Sequence, residues 1–304
     1  MATNPDTRLY YYNRHTRRLE VEAIYGEAWL RWCYTTVAGR LTLWAVGKRA
    51  WVSIIYGGLM RLPSSQEKIK PFIDQYKVDV REILHPLNTF KTFNEFFIRQ
   101  LKPAARPILA DLNAVVFPAD GRHRGYASSA EVPEFRIKGE VYSLDQLCGW
   151  PTIAKKYHGG PVVISRLCPV DYHRFHFPVA GVAGSYSQIR GVLDSVSPLA
   201  LACKPQILFR NKRQVCEIAS ADFGQVCMVE IGAACVGAIH QTYALNQPVQ
   251  KGGEKGYFSF GGSCVVTLFE PQRINLAPDL LQNTREGREL YAKMGTLLGT
   301  RRES

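Results

Sequence analysis

The stretch YFSFGGSCVVTLFE, residues 257–270, decides how the rest of the sequence is interpreted. The residues CVVTLF after Ser263 are mostly apolar and partly β-branched, and Gly261 and Gly262 come directly before that serine. This composition predicts a short buried strand with Ser263 at its entrance. A Gly-Gly-Ser sequence before a strand is most often a hairpin turn. The alternative is chemical, because on a backbone freed by glycine the Ser263 hydroxyl can turn on the carbonyl of Gly262.

Length and composition indicate a globular protein, and the net charge indicates the class of partner. With 304 residues, 46% of them hydrophobic and 21% charged, the chain is long enough for one large or two modest globular domains. A net charge of +12 predicts attraction to polyanions. The sequence has no dense Lys/Arg tract, zinc-finger spacing or RRM-type motif, so we expect no nucleic-acid partner and retain anionic lipid.

The eight cysteines are scattered without a CxxC pair, which predicts apolar packing residues in a reducing compartment. The first twenty residues are polar and basic, so no secretory signal is expected.

Residues 28–60 differ in character from what precedes them. Four of the five tryptophans fall here, at positions 29, 32, 44 and 51, and arginines and lysines lie between them. The longest uncharged run, residues 50–60, is too short to span a bilayer. This mixture predicts helices that lie in the plane of the lipid headgroups. The alternative is a helical hairpin packed on the next domain.

A change of pattern near residue 105 predicts a domain boundary, because Pro103, Pro107 and Pro118 punctuate that passage. Short apolar runs with turn signals between them follow, at residues 162–165, 181–189, 214–220, 225–232 and 263–269. We therefore predict an α+β protein. Residues 1–105 form a helical, membrane-associating region, and residues 106–304 form a mainly antiparallel β catalytic domain resembling a sandwich or barrel.

Two places before Ser263 carry ionisable side chains that suit catalysis. Asp120 stands before a glycine, where a simple turn competes with a carboxylate that orients a histidine. His173 and His176 flank an arginine in DYHRFH, residues 171–176, the densest ionisable cluster of the chain. Each histidine is either structural or a general base. No further ligand type follows at a suitable spacing, so no metal site is expected.

A serine hydroxyl is a weak nucleophile until a base takes its proton. Either His173 or His176 can be that base for Ser263, with Asp120 fixing the tautomer, and the order Asp, His, Ser is compatible with a triad. No GxSxG elbow surrounds the serine, which counts against an ordinary hydrolase.

Six segments, in order, resemble the motifs of the phosphatidylserine decarboxylase family, whose members depend on a pyruvoyl group. The resemblance extends from about residue 25 to residue 299. The six segments are FNEFFIRQLKPAARPI (93–108), FPADGRHRGY (117–126), FRIKGEVYSLDQLCG (135–149), DYHRFHFPVAG (171–181), IGAACVGAI (231–239) and GGSCVVTLFE (261–270).

The resemblance implies a role for each candidate residue. Ser263 matches the serine that becomes the covalently bound pyruvoyl group after autocatalytic cleavage between Gly262 and Ser263. His176 matches the histidine that activates it, and Asp120 matches the triad aspartate. His173 matches the histidine implicated in decarboxylation. Cys264 stands where the family usually has threonine, so that hydroxyl is missing here.

The activity that the resemblance implies is conversion of phosphatidylserine to phosphatidylethanolamine and carbon dioxide through a Schiff base. The expected partners are phosphatidylserine and an anionic membrane surface, with the protein peripheral to the cytoplasmic side of the cell membrane. Fragments 1–262 and 263–304 are expected to stay associated, and a homodimer of such units is a further expectation. Two alternatives remain: a pyruvoyl decarboxylase of another amino-acid headgroup or soluble amine precursor, and a lipid-binding pseudoenzyme that never processes.

Overall fold

The computed structural model describes most of the chain. The described residues are 9–22, 32, 36–42, 55, 57–132, 136–137, 140–141, 143–196, 200–201, 206–233, 238–261 and 263–303. Trp29, Trp44 and Trp51 of the predicted membrane helices lie outside these ranges, and so does Gly262 of the predicted cleavage site.

A ten-stranded sheet forms the centre of the fold. Its strands are numbered in chain order. From one edge of the sheet to the other they are β13 (Gln247–Val249), β9 (Gly181–Ile189), β10 (Arg213–Ser220), β11 (Gly224–Gly232), β15 (Ser263–Phe269), β7 (Val162–Leu167), β4 (Gly121–Tyr126), β17 (Glu289–Ala292), β1 (Tyr10–Asn13) and β2 (Arg18–Val21). All neighbouring pairs are antiparallel except β1 and β17, which are parallel.

Smaller sheets and short helices complete the described structure. The two three-stranded sheets are β12 (Ile239–Gln241), β14 (Glu254–Phe258), β8 (Arg174–His176), and β16 (Ile274–Leu276), β18 (Leu297–Arg301), β3 (Ala114–Val116). A separate pair joins β5 (Arg136–Ile137) and β6 (Glu140–Val141). The α-helices are α1 (Val37–Thr42), α2 (Ile69–Tyr76), α3 (Phe93–Phe97), α4 (Leu144–Cys148), α5 (Pro151–Ala154), α6 (Ile207–Arg210) and α7 (Pro278–Arg285). This mixed, mainly antiparallel architecture confirms the predicted α+β class.

Strand β15 lies between two hydrophobic cores. Val265 and Phe269 pack in one core with residues of both three-stranded sheets, whereas Val266 and Leu268 pack in the other with helices α4, α5 and α6. Because side chains alternate along a strand, Ser263 faces the first core, on the side of β8 and β14.

A third hydrophobic cluster connects the helical part of the chain to the segment before β15. Phe93, Phe96 and Phe97 of α3 pack with Phe260. Helix α3 begins where the hydroxyl of Thr92 accepts a hydrogen bond from a backbone N–H, at 3.1 Å. Thr92 is therefore the N-cap of this helix.

The N-terminal region departs from the prediction of a helical segment over residues 1–105. Strands β1 and β2 form a hairpin that extends the large sheet, so the helical prediction is wrong for residues 10–21. Two ion pairs fasten the hairpin: Arg14 bonds Asp279 at 2.6 Å, and Glu22 bonds the buried Arg166 at 2.7 Å. Such long-range partners outweigh any local helical preference.

The predicted membrane segment is described only in part. Trp32 is 37% exposed and Ile55 is 53% exposed, while Met60 is buried. No helix within the described ranges is both long enough and apolar enough to cross a bilayer. Membrane association and the boundary near residue 105 therefore stay predictions.

Candidate active site

Ser263 occupies the first position of the central strand. Its backbone pairs with Gly232 of β11 on one side and Leu167 of β7 on the other. The side chain is fully buried, and its Oγ has no hydrogen-bond partner among the described residues. Buried hydroxyls are normally bonded, so an unbonded one at this position is available for chemistry.

The chain just before the serine is held on several sides. The N–H of Phe260 donates to the side-chain oxygen of Asn94 at 3.0 Å, and the Phe260 ring packs 4.9 Å from that of Phe97. Gly261 has a φ of +139°, a backbone conformation that residues with a Cβ rarely adopt. Helix α3 and this glycine together fix how the chain enters β15.

His173 lies directly before β8, with its ring 4.0 Å from that of Phe97. Its Nδ1 donates to the carbonyl of Asp171 at 3.0 Å, so in the neutral ring Nε2 carries the lone pair. That Nε2 is buried, and within the part of the chain that the structure describes it has no partner at hydrogen-bond geometry. The pKa of His173 is lowered to about 3, chiefly by burial and also by the charge of Arg99, against the opposing effect of the Asp171 and Gly261 carbonyls. His173 is therefore neutral and lies beside the chain that leads to Ser263.

His176 lies in β8 with both ring nitrogens occupied. Nδ1 donates to the carbonyl of Gly252 at 2.9 Å, and Nε2 is 3.3 Å from the hydroxyl of Tyr172. Burial lowers the pKa of His176, and the Gly252 carbonyl and the charges of Glu254 and Asp120 oppose this shift. Nε2, the nitrogen that could accept a proton, is thus bonded to the Tyr172 hydroxyl.

Asp120 is buried beside a guanidinium. Nε of Arg106 donates to the two carboxylate oxygens at 2.8 and 2.9 Å, and its Nη2 bonds one of them at 2.5 Å. The N–H of Met294 completes the set at 2.9 Å. Among the described residues, no hydrogen bond joins Asp120 to either histidine, or a histidine to Ser263. The structure thus gathers the predicted residues in one region, and their roles stay predictions.

Sequence reasoning did not identify the arginines of this region. Arg106 bonds Asp120, and Arg122 bonds Asp171 at 2.6 Å. Arg99 donates to the same Asp171 carbonyl that orients His173. Arg99 and Arg106 both fall within the family-like segment 93–108, but nothing in the spacing indicates which carboxylate or carbonyl each one meets.

We expect the free energy of unfolding to fall as the pH is lowered from about 6.5. His123 and His173 have folded-state pKa values of about 3 because both are buried, whereas an unfolded histidine titrates near 6.5. Between these values the unfolded chain binds more protons, so each histidine removes up to about 1.4 kcal/mol per pH unit. The loss begins below pH 6.5 and continues towards pH 3.

Urea unfolding of the Ser263→Ala chain at pH 7.0, 6.0 and 5.0 measures this slope. A His123→Gln change in the same chain should make it shallower, since one titrating group is gone. A stability that stays constant or rises over that pH range contradicts the buried, neutral state of these rings.

Comparison with known proteins agrees with the resemblance. The family model described as phosphatidylserine decarboxylase matches residues 93–300. The chain is 41% identical over 293 residues to the phosphatidylserine decarboxylase proenzyme of Chlamydia trachomatis serovar D, covering 96% of this chain and 97% of that protein. Identity to the protein of the same name is 43% over 291 residues in Chlamydia muridarum and 40% over 292 residues in Fusobacterium nucleatum, with the same coverage. The chain belongs to the phosphatidylserine decarboxylase family.

Proposed function

We propose that this chain cleaves itself between Gly262 and Ser263, and that the processed protein converts phosphatidylserine to phosphatidylethanolamine and carbon dioxide. The observation that carries the proposal is the hydroxyl of Ser263, which is buried at the first position of the central strand inside the family match and has no partner in the described ranges. A serine that only served a turn would usually bond its own loop or water.

In the cleavage step, Ser263 Oγ attacks the carbonyl carbon of Gly262 and its proton passes to a histidine. We assign His176 as this base, which requires Nε2 to exchange the Tyr172 hydroxyl for the serine. The negative charge of Asp120 favours the imidazolium that forms. The C–N bond between residues 262 and 263 then breaks, the imidazolium returns its proton to the nitrogen of residue 263, and the amide becomes an ester.

Elimination then completes the cleavage. The Cα proton of residue 263 is removed, the bond between Cβ and Oγ breaks, and Gly262 leaves as a carboxylate. Water replaces nitrogen in the remaining dehydroalanine, ammonia departs, and a ketone is left at the start of fragment 263–304.

The surroundings of residue 263 fit such a group, because the unpartnered His173 Nε2 and Ser263 Oγ are both buried in this region. A pyruvoyl group supplies a ketone that condenses with a primary amine and accepts the electron pair released with carbon dioxide.

His173 is our candidate for returning a proton to the substrate carbon. Its Nδ1 is fixed by the Asp171 carbonyl, so Nε2 is the nitrogen available for transfer. The ring must first be protonated, although burial lowers its pKa. A substrate carboxylate beside the ring opposes that shift, because a negative charge favours the imidazolium. Substrate binding therefore prepares the proton donor.

Fragment 263–304 remains bound after cleavage in this proposal. Its first strand, β15, pairs along its length with β11 and β7 of fragment 1–262. Side chains of β15 also lie in both hydrophobic cores, so dissociation would expose the centre of the protein to water.

We also propose that residues 28–60 and the turn that follows hold the site at an anionic membrane surface. Ile55, Leu59 and Leu62 are about half exposed, although they are large and apolar, and the chain carries a net charge of +12. Changing all three to glutamate should reduce flotation with phosphatidylserine-containing liposomes at least about tenfold, since apolar contact is lost and negative charge is added.

Leu112→Glu is the matched control, because Leu112 is 81% exposed and lies outside this segment. These substitutions leave the β1–β2 hairpin and its ion pairs intact, which a deletion of residues 1–60 would not. Equal flotation of the triple variant and the wild type would remove this surface from the proposal.

The purified protein tests the whole proposal. Intact mass should show both fragments, and phosphatidylserine should yield phosphatidylethanolamine. If the protein decarboxylates a different amino-acid headgroup faster than phosphatidylserine, it is a pyruvoyl decarboxylase of that headgroup. A single full-length species that binds lipid without turnover would support the pseudoenzyme.

A further inference from the structure

Arg99 is a buried cation whose bonding is incomplete. The residue is 5% exposed, and burial lowers its pKa to about 10. Its guanidinium donates to the backbone carbonyls of Phe96, Val170 and Asp171, each at 3.5 Å, the longest separation for a hydrogen bond. Its Nε has no partner within the described ranges. No carboxylate among the described residues lies within ion-pair distance of it.

The other buried arginines of the described structure have closer partners, of two kinds, although the Nε of Arg122 also lacks a partner there. Arg106, Arg122 and Arg166 each bond at least one carboxylate at 2.7 Å or closer. Arg213 lacks a carboxylate but donates to four backbone carbonyls, two of them at 2.7 Å. Arg99 has neither arrangement, although an unpaired buried cation is costly. It is therefore the guanidinium that is poised to receive an anion.

Arg99 lies at the proposed catalytic site. The carbonyl of Asp171 accepts from both Arg99 Nη2 and His173 Nδ1, and the charge of Arg99 lowers the pKa of His173. Arg99 Nε, His173 Nε2 and Ser263 Oγ are three of the five buried side-chain polar atoms that have no partner among the described residues. The nearby carboxylates of Asp120 and Asp171 are already bonded to other guanidiniums. An anionic group of the substrate would therefore give the Arg99 guanidinium the counter-ion that it lacks among the described residues.

The substrate of the proposed function carries two anionic groups, and the reaction distinguishes them. The carboxylate loses its charge as carbon dioxide forms, so a guanidinium bound to it would stabilise the ground state more than the transition state. The phosphate keeps its charge throughout, and it is separated from the reacting carbon by one oxygen and one methylene. A planar guanidinium also matches phosphate oxygens in geometry.

We propose that Arg99 binds the phosphate of the lipid headgroup and so places the reacting carbon beside His173. This inference rests on the proposed function and makes Arg99 a substrate-binding residue. It also explains why a positive side chain is retained, without a counter-ion, next to a histidine whose protonation it opposes.

Two substitutions, Arg99→Gln and Arg99→Lys, test the inference in the full chain. Both proteins should still cleave at Gly262–Ser263, because Arg99 takes no part in that step. Arg99→Gln should raise KM for dioctanoyl phosphatidylserine at least about tenfold, with kcat changed less than about threefold, and Arg99→Lys should fall between it and the wild type. Lys91→Gln, an exposed change just before α3, controls for general charge attraction.

Binding of dioctanoyl phosphatidic acid, measured by calorimetry below its micellar concentration, separates the two anions without turnover. This probe has the phosphate but no carboxylate or amine. Its Kd should rise in Arg99→Gln by about the same factor as KM. An unchanged Kd overturns the phosphate assignment, and together with a raised KM it would indicate the carboxylate instead.

Should Arg99→Gln stay uncleaved, Arg99→Lys decides the question. Lysine keeps the charge but lacks the planar pair of donors, so its cleaved protein should bind the probe about threefold to tenfold more weakly than the wild type. Wild-type affinity in that variant overturns the inference. A wild type that binds the probe without decarboxylating anything would contradict the proposed function alone.

Discussion

A Ser263→Ala protein is expected to remain one chain of 304 residues and to form no phosphatidylethanolamine. The substitution removes the Oγ that attacks the Gly262 carbonyl, and no ester or ketone can then arise at that position. Because Ser263 is buried and its Oγ makes no hydrogen bond to a described residue, loss of the hydroxyl leaves none of those residues unsatisfied. The protein should therefore fold normally. Intact mass, followed over days beside the wild type, measures the effect.

Thr267→Val provides the matched control for this experiment. Thr267 lies on the same strand and the same face and is also fully buried, and its Oγ1 likewise has no partner in the described part of the chain. Its loss should leave cleavage and turnover close to wild type. If Ser263→Ala were still cut at the same bond, another group would be the nucleophile. If Thr267→Val also stayed uncleaved, the loss of cleavage would result from altered packing of β15 and not from loss of the nucleophile.

The two histidines should separate the two phases of the reaction. His176→Ala is expected to slow self-cleavage by at least about 100-fold, the size of a lost general base. His173→Ala is expected to cleave and to expose the ketone, but to lose decarboxylation by a similar factor, because its Nε2 is the unbonded nitrogen near residue 263. Fragment formation on gels and product formation by mass spectrometry measure the two effects independently.

Tyr172→Phe is the control for the base. It removes the hydroxyl 3.3 Å from His176 Nε2 and leaves the ring in place. Because that hydroxyl must be displaced in our account, cleavage of the Phe variant should be as fast as the wild type or faster. If His173→Ala stays uncleaved while His176→Ala cleaves, then His173 is the base for self-cleavage and our assignment of the two histidines is wrong.

Local pattern predicted the strands of this protein well. The runs 181–189 and 263–269 are observed as β9 and β15 with the same bounds. Each begins at or directly after a glycine and has a clear apolar pattern, so neighbouring residues alone specify it. Ser263 was placed correctly for the same reason, since its position follows from the start of a strand.

Long-range partners were not predictable. The hairpin of β1 and β2 depends on β17, more than 260 residues further along, and on the Glu22–Arg166 ion pair. Likewise the sequence indicates Asp120 as a candidate catalytic residue. It does not indicate that Arg106 bonds both carboxylate oxygens. Spacing along a chain does not specify which buried cation meets which anion, because the sheet order that joins them is a property of the whole fold.

Reductive trapping of the purified wild type tests the central claim most directly. The protein is incubated with phosphatidylserine labelled in its serine headgroup, treated with cyanoborohydride, and separated into its fragments. Our account predicts that the label joins fragment 263–304 through its first residue, and that untreated fragment resists N-terminal sequencing. Active protein that gives no labelled fragment, or that decarboxylates as one uncut chain, would contradict it.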